Sequence, residues 1–308
     1  MHVGNGDTGM SSASPIWRSM LFVPAHIERF VARAHERGAD ACILDLEDSV
    51  PPPQKAAARD ALAAAVQQVS RAGTSVLVRV NQPWEVLCED IEAAVMPAVQ
   101  ALVLPKVNDP GLVREVAARL DRLESAQGLD AGKIRLIAQI EDVHALPRLD
   151  QIAGSSPRLL GMILGSEDFS ASAGMEPVPE ALLAPNQQIV FACRRAGLLP
   201  FGFPGSIADF SDLERFRATI RLARQLGFVG AFCIHPNQVG ILNQEFTPSQ
   251  QGIADARGIL AAYEAALRSG QGATAYDGKM IDPPVVLRAQ EVLRRAGVAA
   301  NPHEAGGS

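Results

Sequence analysis

Aromatic residues make up only 5% of this 308-residue chain, with two tryptophans and two tyrosines, while apolar residues as a class reach 47%. The apolar content is therefore carried by Ala, Val, Leu and Ile, which suits parallel strands covered by helices and argues against an all-β fold. Cysteine is equally sparse. Cys42, Cys88, Cys193 and Cys233 are far apart, and none forms a C-x-x-C pair. That spacing excludes a disulfide framework and a thiolate zinc site, and it points to the reduced cytoplasm as the compartment. No block of lysines and arginines occurs, and the net charge is −6, so the chain lacks the basic footprint of a nucleic-acid binder. The first fifteen residues contain no apolar stretch, which argues against a secretory signal or a membrane anchor there. Residues 1–15 and 301–308 are expected to be disordered tails.

From Arg18 onward, short β-branched runs alternate with longer segments of helical period. Eight runs can be counted, at Met20 to Val23, Ala41 to Leu46, Ser75 to Val80, Ala101 to Leu104, Arg135 to Ile140, Leu159 to Leu164, Pro200 to Phe203 and Gly230 to Ile234. Ile27, Phe30, Val31 and Ala34 recur at helical spacing, and Asp109-Pro110 has the form of an N-cap followed by a first-turn proline. Eight βα units predict a closed α/β structure, a (β/α)₈ TIM barrel over residues 16–247. An open doubly wound sheet is the competing architecture. Its Gly-rich turn after the first strand is missing, because Val23-Pro24-Ala25-His26 stands there. Residues 248–300 exceed what a barrel needs. They read as a long amphipathic helix with Ile253, Ala256, Leu260, Tyr263 and Leu267 on one face, a polar Gly-rich connection from Gly270 to Ile281, and a last helix from about Pro283 to Ala296. This C-terminal helical extension is expected to act as a lid or to reach a neighbouring subunit.

In such a barrel, polar residues at the C-terminal ends of strands converge on one mouth. The rule selects Asp45, Glu47, Asp48, Arg79, Asn81, Lys106, Glu141, Glu167, Asp168 and His235. Glu141 and Asp168 follow consecutive strands spaced about 4.8 Å apart, so both carboxylates can meet one cation. Mg²⁺ is the ion that such a sparse oxygen site suits. A helix N-terminal carboxylate, stabilised by the helix dipole, is the plainer role for Glu141. Arg79 stands among apolar neighbours and requires an anionic partner. That partner is either an internal carboxylate such as Asp45 or Glu47, or a substrate carboxylate gripped by the planar guanidinium. Asp282 precedes two prolines and has the form of an N-cap, while His235 and Lys106 have equally plain structural roles open to them.

Taken together, the motifs resemble the citrate lyase beta-subunit family, which includes malyl-CoA and citramalyl-CoA lyases. The resemblance rests on Arg18-Ser19-Met20-Leu21-Phe22-Val23-Pro24, Leu44-Asp45-Leu46-Glu47-Asp48-Ser49-Val50, Val78-Arg79-Val80-Asn81, Leu104-Pro105-Lys106, Ile140-Glu141, Gly165-Ser166-Glu167-Asp168-Phe169, Ile234-His235-Pro236-Asn237-Gln238 and Asp277-Gly278-Lys279-Met280-Ile281-Asp282. It covers Arg18 to about Ala296. Two stretches depart from it or cannot be aligned with it: Ala25-His26 after Val23-Pro24, and Phe201 to Ser206.

The resemblance implies a Mg²⁺-dependent lyase, usually a homotrimer or hexamer, that cleaves or forms a carbon–carbon bond beside an acyl thioester. It maps the metal ligands onto Glu141 and Asp168 and the substrate-carboxylate arginine onto Arg79; Glu47, Asp48 and Glu141 are the further candidates for substrate binding. It assigns Asp282 as an acid/base lent by the adjacent subunit, a role compatible with capping. The substrates implied are a 3-hydroxyacyl-CoA of malyl, citramalyl or citryl type and a 2-oxo acid. Lys55 and Arg59 are the candidate contacts for coenzyme A phosphates, or else members of a solvated helix face. An aldolase for free 2-oxo acids, a citrate lyase complex subunit working on an acyl-carrier protein, a thioesterase outcome and a non-catalytic acyl-CoA-binding protein remain open.

Overall fold

The computed structural model describes residues 15–208 and 210–297. The two expected tails fall outside those residues, apart from Pro15.

Eight parallel strands form one sheet: β1 (Ser19–Pro24), β2 (Ala41–Asp45), β3 (Ser75–Arg79), β4 (Val99–Leu104), β5 (Arg135–Ile140), β6 (Leu159–Leu164), β7 (Leu199–Phe201) and β8 (Ala231–Cys233). Their order is β7-β6-β5-β4-β3-β2-β1-β8. A bridge between Phe201 and Gly230 joins the two ends, with the Gly202 amide donating to the Gly230 carbonyl at 2.9 Å, so the sheet closes as a (β/α)₈ barrel. The β-branched runs anticipate all eight strands, two of them to the residue and the others with ends displaced by no more than two residues.

Alternation along each strand divides the apolar residues between two cores. Ala41, Ile43, Leu77, Ala101, Val103, Ile137, Phe201 and Phe232 point inward and fill the barrel. Their neighbours, among them Cys42, Leu44, Val76, Val78, Leu102 and Ala138, point outward and pack under the helices. Because both faces of the strands are covered, the runs are continuously apolar. Each fully buried Leu, Ile or Phe contributes about 1.5–3 kcal/mol. One layer above Ile43, Leu77 and Ile137, the inward positions become Asp45, Arg79 and Gln139. This switch from apolar to polar marks the mouth.

Helix ends follow local chemistry. Asp109 caps Pro110–Ala126 by accepting from the Gly111 amide at 2.6 Å, and His235 closes a capping box with Gln238 at the head of Pro236–Phe246. In the helix Glu28–Ala34, Val31 and Ala34 are buried while Phe30 faces outward.

Past the barrel, helices Gln250–Arg268 and Pro283–Arg295 pack on each other through Ala256, Leu260, Ala289 and Leu293, a small core of their own. Leu267, expected on the buried face, is exposed. The segment read as an irregular connection contains a β-hairpin, β9 (Thr274–Tyr276) against β10 (Lys279–Ile281). Its turn is Asp277-Gly278, with φ of 48° and 70°. Two successive positive φ values are what a tight hairpin turn demands, and Asp-Gly is the pair that tolerates them. Among the described residues, no helix is long and apolar enough to cross a membrane.

Candidate active site

The strand ends surround a cavity of about 420 Å³ at the C-terminal mouth of the barrel. Its walls differ in chemistry. Asp45, Asp48, Arg79, Gln139, Glu167 and Asp168 form the charged and polar side, and Phe22, Ile163, Phe203, Ile207, Phe232 and Ile234 form the other.

Arg79 occupies the centre of the charged side. It is the register partner of Asp45 on the adjacent strand, so both side chains emerge inward at the same height. Its Nε and Nη2 donate to the two Asp45 oxygens at 2.7 and 2.8 Å, and its Nη1 lies 3.0 Å from Glu47 and 3.3 Å from Asp48. Its guanidinium also lies 4.6 Å from the Phe22 ring centroid, in cation–π range. Of the two partners that the sequence left open, the internal carboxylate takes the two-donor edge. What Arg79 still offers the cavity is Nη1, which is paired with Glu47 and has only a weaker contact with the exposed Asp48. Burial pushes the Asp45 carboxyl up, but the hydrogen bonds and charge of Arg79 outweigh it and hold the group below its ordinary value. Asp45 also accepts from the Glu47 and Ser49 amides and so shapes the loop that carries Glu47 and Asp48.

Glu141 is buried at the end of β5. The Lys106 amide donates to its Oε2 at 3.1 Å, and Gln139 Nε2 donates to its Oε1. Lys106 has φ of 52°, an unusual backbone for a lysine, at the turn where its N–H meets the carboxylate. Its ammonium meets Glu47 at 2.9 Å. The plainer role considered for Glu141 belongs instead to its neighbour, for Asp142 caps the following turn by accepting from the His144 amide. Burial first, then the charges of Glu47 and Asp168, push the Glu141 carboxyl up to about 8. A carboxylate held this way favours a cation.

Asp168 lies in the first turn of the helix Ser166–Ala173, on the cavity wall. Gly165, at the end of β6, makes the approach possible: a Cβ there would lie 2.6 Å from Glu141 Cγ and 2.9 Å from its Oε1. Gln139 Oε1, also in the cavity wall, is buried with no partner. Among the described residues no group of three or more His, Cys, Asp or Glu side chains is arranged around one point. Two carboxylates, an unpaired amide oxygen and open volume fit a hard cation that keeps water and substrate oxygens in its remaining positions.

Other candidates resolve differently. Asn81 donates to the Leu46 carbonyl and to Asp90, and His235 is a helix cap stacked on Phe210. Lys55 donates to the Leu46 and Glu47 carbonyls at 2.8 and 2.6 Å, and Arg59 pairs with Asp90 and Glu89. Both are engaged within the chain and neither lines the cavity. Asp282 caps Pro283–Arg295 by accepting from the Val285 amide at 3.3 Å, and it does not line the cavity of its own chain. Three participants went unread in the sequence: Gln139, Gly165 and Phe22. Gln139 left a signal, being a polar residue two positions before Glu141 on the inward face of an apolar strand.

Comparison with known proteins places the chain in a family. Residues 18–236 match the model of the HpcH/HpaI aldolase/citrate lyase family. An L-malyl-CoA/beta-methylmalyl-CoA lyase of Cereibacter sphaeroides is 36% identical over 302 residues, spanning 91% of this chain and 94% of that protein. The citrate lyase subunit beta of Escherichia coli is 36% identical over 284 residues, 91% of this chain and 93% of that one. A crystal structure of CitE from Mycobacterium tuberculosis with magnesium, acetoacetate and coenzyme A superposes with a TM-score of 0.72 at 31% identity, covering 93% of this chain and 99% of that one. With the family model matching well over half of its length and relatives above 30% identity along nearly all of it, the chain belongs to the HpcH/HpaI aldolase/citrate lyase family.

Proposed function

We propose that this protein is a magnesium-dependent carbon–carbon lyase that cleaves a 3-hydroxyacyl-CoA thioester to a 2-oxo acid and an acyl-CoA, or condenses the two. The observation that carries the reading is Glu141, a buried carboxylate fixed by the Lys106 amide and Gln139 directly behind Gly165 in the cavity wall that also holds Asp168. The lyase names of the relatives and the magnesium and coenzyme A bound to the CitE neighbour support it.

Glu141 and Asp168 would hold the cation, which when bound polarises substrate oxygens as a Lewis acid. The protein's own groups do the rest. Arg79 Nη1, exchanging Asp48 for a substrate carboxylate, orients the hydroxyl-bearing carbon, while Asp45 and Phe22 keep the guanidinium in place. In the cleavage direction the C2–C3 bond breaks, the C3 hydroxyl becomes the carbonyl of the oxo acid, and the electron pair passes to the thioester enolate. One proton moves from the hydroxyl to the enolate carbon, and Asp282 delivers it.

Because Asp282 lies outside its own cavity, we assign it to the site of a neighbouring copy. It sits between the β9–β10 hairpin and the last helix, flanked by Met280, 68% exposed, and Leu287, 65% exposed, an apolar surface suited to burial against another subunit. The barrel at 16–247, the extension at 248–300, a homotrimer or hexamer and a cytoplasmic location belong to the same proposal.

A panel of CoA thioesters assayed with Mg²⁺, following 2-oxo acid release and free thiol separately, tests the reaction. Oxo acid without thiol identifies the lyase. Thiol without oxo acid, or turnover unchanged by chelator, rejects it.

A further inference from the structure

The cavity's division into a charged and an apolar side bears on the substrate. Cleavage releases an oxo acid whose own carboxylate and carbonyl oxygen belong with Glu141, Asp168 and Arg79. Whatever else C3 of the substrate carries must lie elsewhere in the cavity. The apolar lining consists of Phe22, which also lies against Arg79, and of Ile163, Phe203, Ile207, Phe232 and Ile234, drawn from β1, β6, β8 and the segments that follow β7 and β8. Phe22 and Phe232 pack edge to face at 5.3 Å, and Phe203 is backed by Phe216 at 5.5 Å, so the wall is braced from behind.

None of these six side chains can donate to a second carboxylate. Arg79 already faces Asp45, Glu47 and Asp48, and Lys106 faces Glu47. Arg215 stands behind Phe203 and Gly205, in a separate crevice of about 50 Å³. Among the described residues of this chain that line the cavity, the charged groups besides Arg79 are the carboxylates Asp45, Asp48, Glu167 and Asp168. An anion placed against the wall would lose its hydration without a counter-charge, which proteins avoid.

Resting on the lyase reading, we propose that the preferred substrates carry an apolar chain of ethyl size or larger on C3, so that the oxo acid released or consumed is a monocarboxylic 2-oxo acid with an alkyl or aromatic side chain. Hydrogen, as in glyoxylate, leaves the wall unused, and a carboxymethyl group, as in oxaloacetate, brings a charge that it cannot meet. In an apolar pocket each methylene is worth about 10- to 200-fold in discrimination.

The test is condensation by the wild-type protein with acetyl-CoA and Mg²⁺ against glyoxylate, pyruvate, 2-oxobutyrate, 2-oxoisovalerate and oxaloacetate, with kcat/KM measured for each. The expected result is 2-oxobutyrate or 2-oxoisovalerate above glyoxylate by about tenfold or more, and oxaloacetate at the bottom. Glyoxylate or oxaloacetate at the top, or a flat series, overturns the proposal and leaves the wall to the pantetheine arm. Ile234, 40% exposed and therefore tolerant of change, supplies a second measurement. Ile234→Arg should raise the relative kcat/KM for oxaloacetate by about tenfold or more. An unchanged ratio in a folded variant counts against the wall as the discriminating surface. If no oxo acid condenses, the lyase reading has failed. Calorimetric binding of the same acids with Mg²⁺ then decides the wall by itself: 2-oxobutyrate tighter than oxaloacetate upholds it, and the reverse overturns it.

Discussion

Gly165→Ala adds one methyl group at the point where β6 delivers the chain to the Asp168 helix. Gly165 has φ of −81° and ψ of 95°, a backbone open to any residue, so the substitution carries no conformational penalty. Its whole effect is steric. The new Cβ would stand 2.6 Å from Glu141 Cγ, 2.9 Å from its Oε1 and 3.0 Å from Gln139 Nε2, whereas carbon atoms in contact prefer about 3.5–4.0 Å. Glu141 or the Gly165 backbone must therefore retreat by roughly 1 Å, in a site where Glu141 is buried and held from two sides. Overpacking of this kind costs about 1–3 kcal/mol of stability. A displacement of about 1 Å at a reacting centre costs about 10²-fold in rate. The expected outcome is a folded protein with a modestly lower Tm, Mg²⁺ affinity reduced by calorimetry, and kcat/KM down by about two orders of magnitude. Gly240→Ala serves as control, since nothing lies within 4 Å of its Cβ and it occupies a helix interior. There the change should be neutral or stabilising by up to about 1 kcal/mol. Wild-type Mg²⁺ affinity and turnover in Gly165→Ala would refute the idea that this glycine keeps the carboxylate in register.

Glu141→Ala and Asp168→Ala should each abolish turnover and weaken Mg²⁺ binding while far-UV circular dichroism stays native; unchanged metal affinity in both would move the site elsewhere. Arg79→Leu should destabilise the protein by about 3–5 kcal/mol, because Asp45 is left buried without its counter-charge. The loss should shrink in acid. Asp45 has a folded-state value below its unfolded one, so its contribution is present above about 3.9 and disappears as the pH falls through the folded value. Melting curves of both proteins at pH 7 and pH 3 check this, and a Tm gap that widens in acid would contradict it. Asp282→Asn should keep metal binding and helix capping yet lose turnover, and mixing it with Glu141→Ala under subunit exchange should restore part of the activity. No restoration despite demonstrated exchange would place Asp282 outside a shared site.

The barrel was legible because its strands are covered on both faces, so each reads as a continuous apolar run between helical segments, and eight such runs in one chain have few ways to bury themselves. The mouth was legible for a related reason: a charged residue at the end of an apolar strand, such as Asp45, Arg79 or Glu141, has only the cavity or a partner to turn to. The hairpin around Asp277-Gly278 escaped, although the Asp-Gly pair was visible, because three-residue strands with only Ile281 buried leave no alternation to detect. Which partner Arg79 takes depended on register. Only the pairing of β2 with β3 sets Asp45 opposite it, and no local pattern encodes that pairing. The same holds for Gly165 and Gln139, whose roles arise from contacts across strand ends, and for the apolar wall, whose six side chains come from positions as far apart as Phe22 and Ile234. Sequence determined which groups were available for chemistry. Closure of the barrel decided which of them face one another, because distances across a mouth are set by the whole ring of strands and not by any one segment.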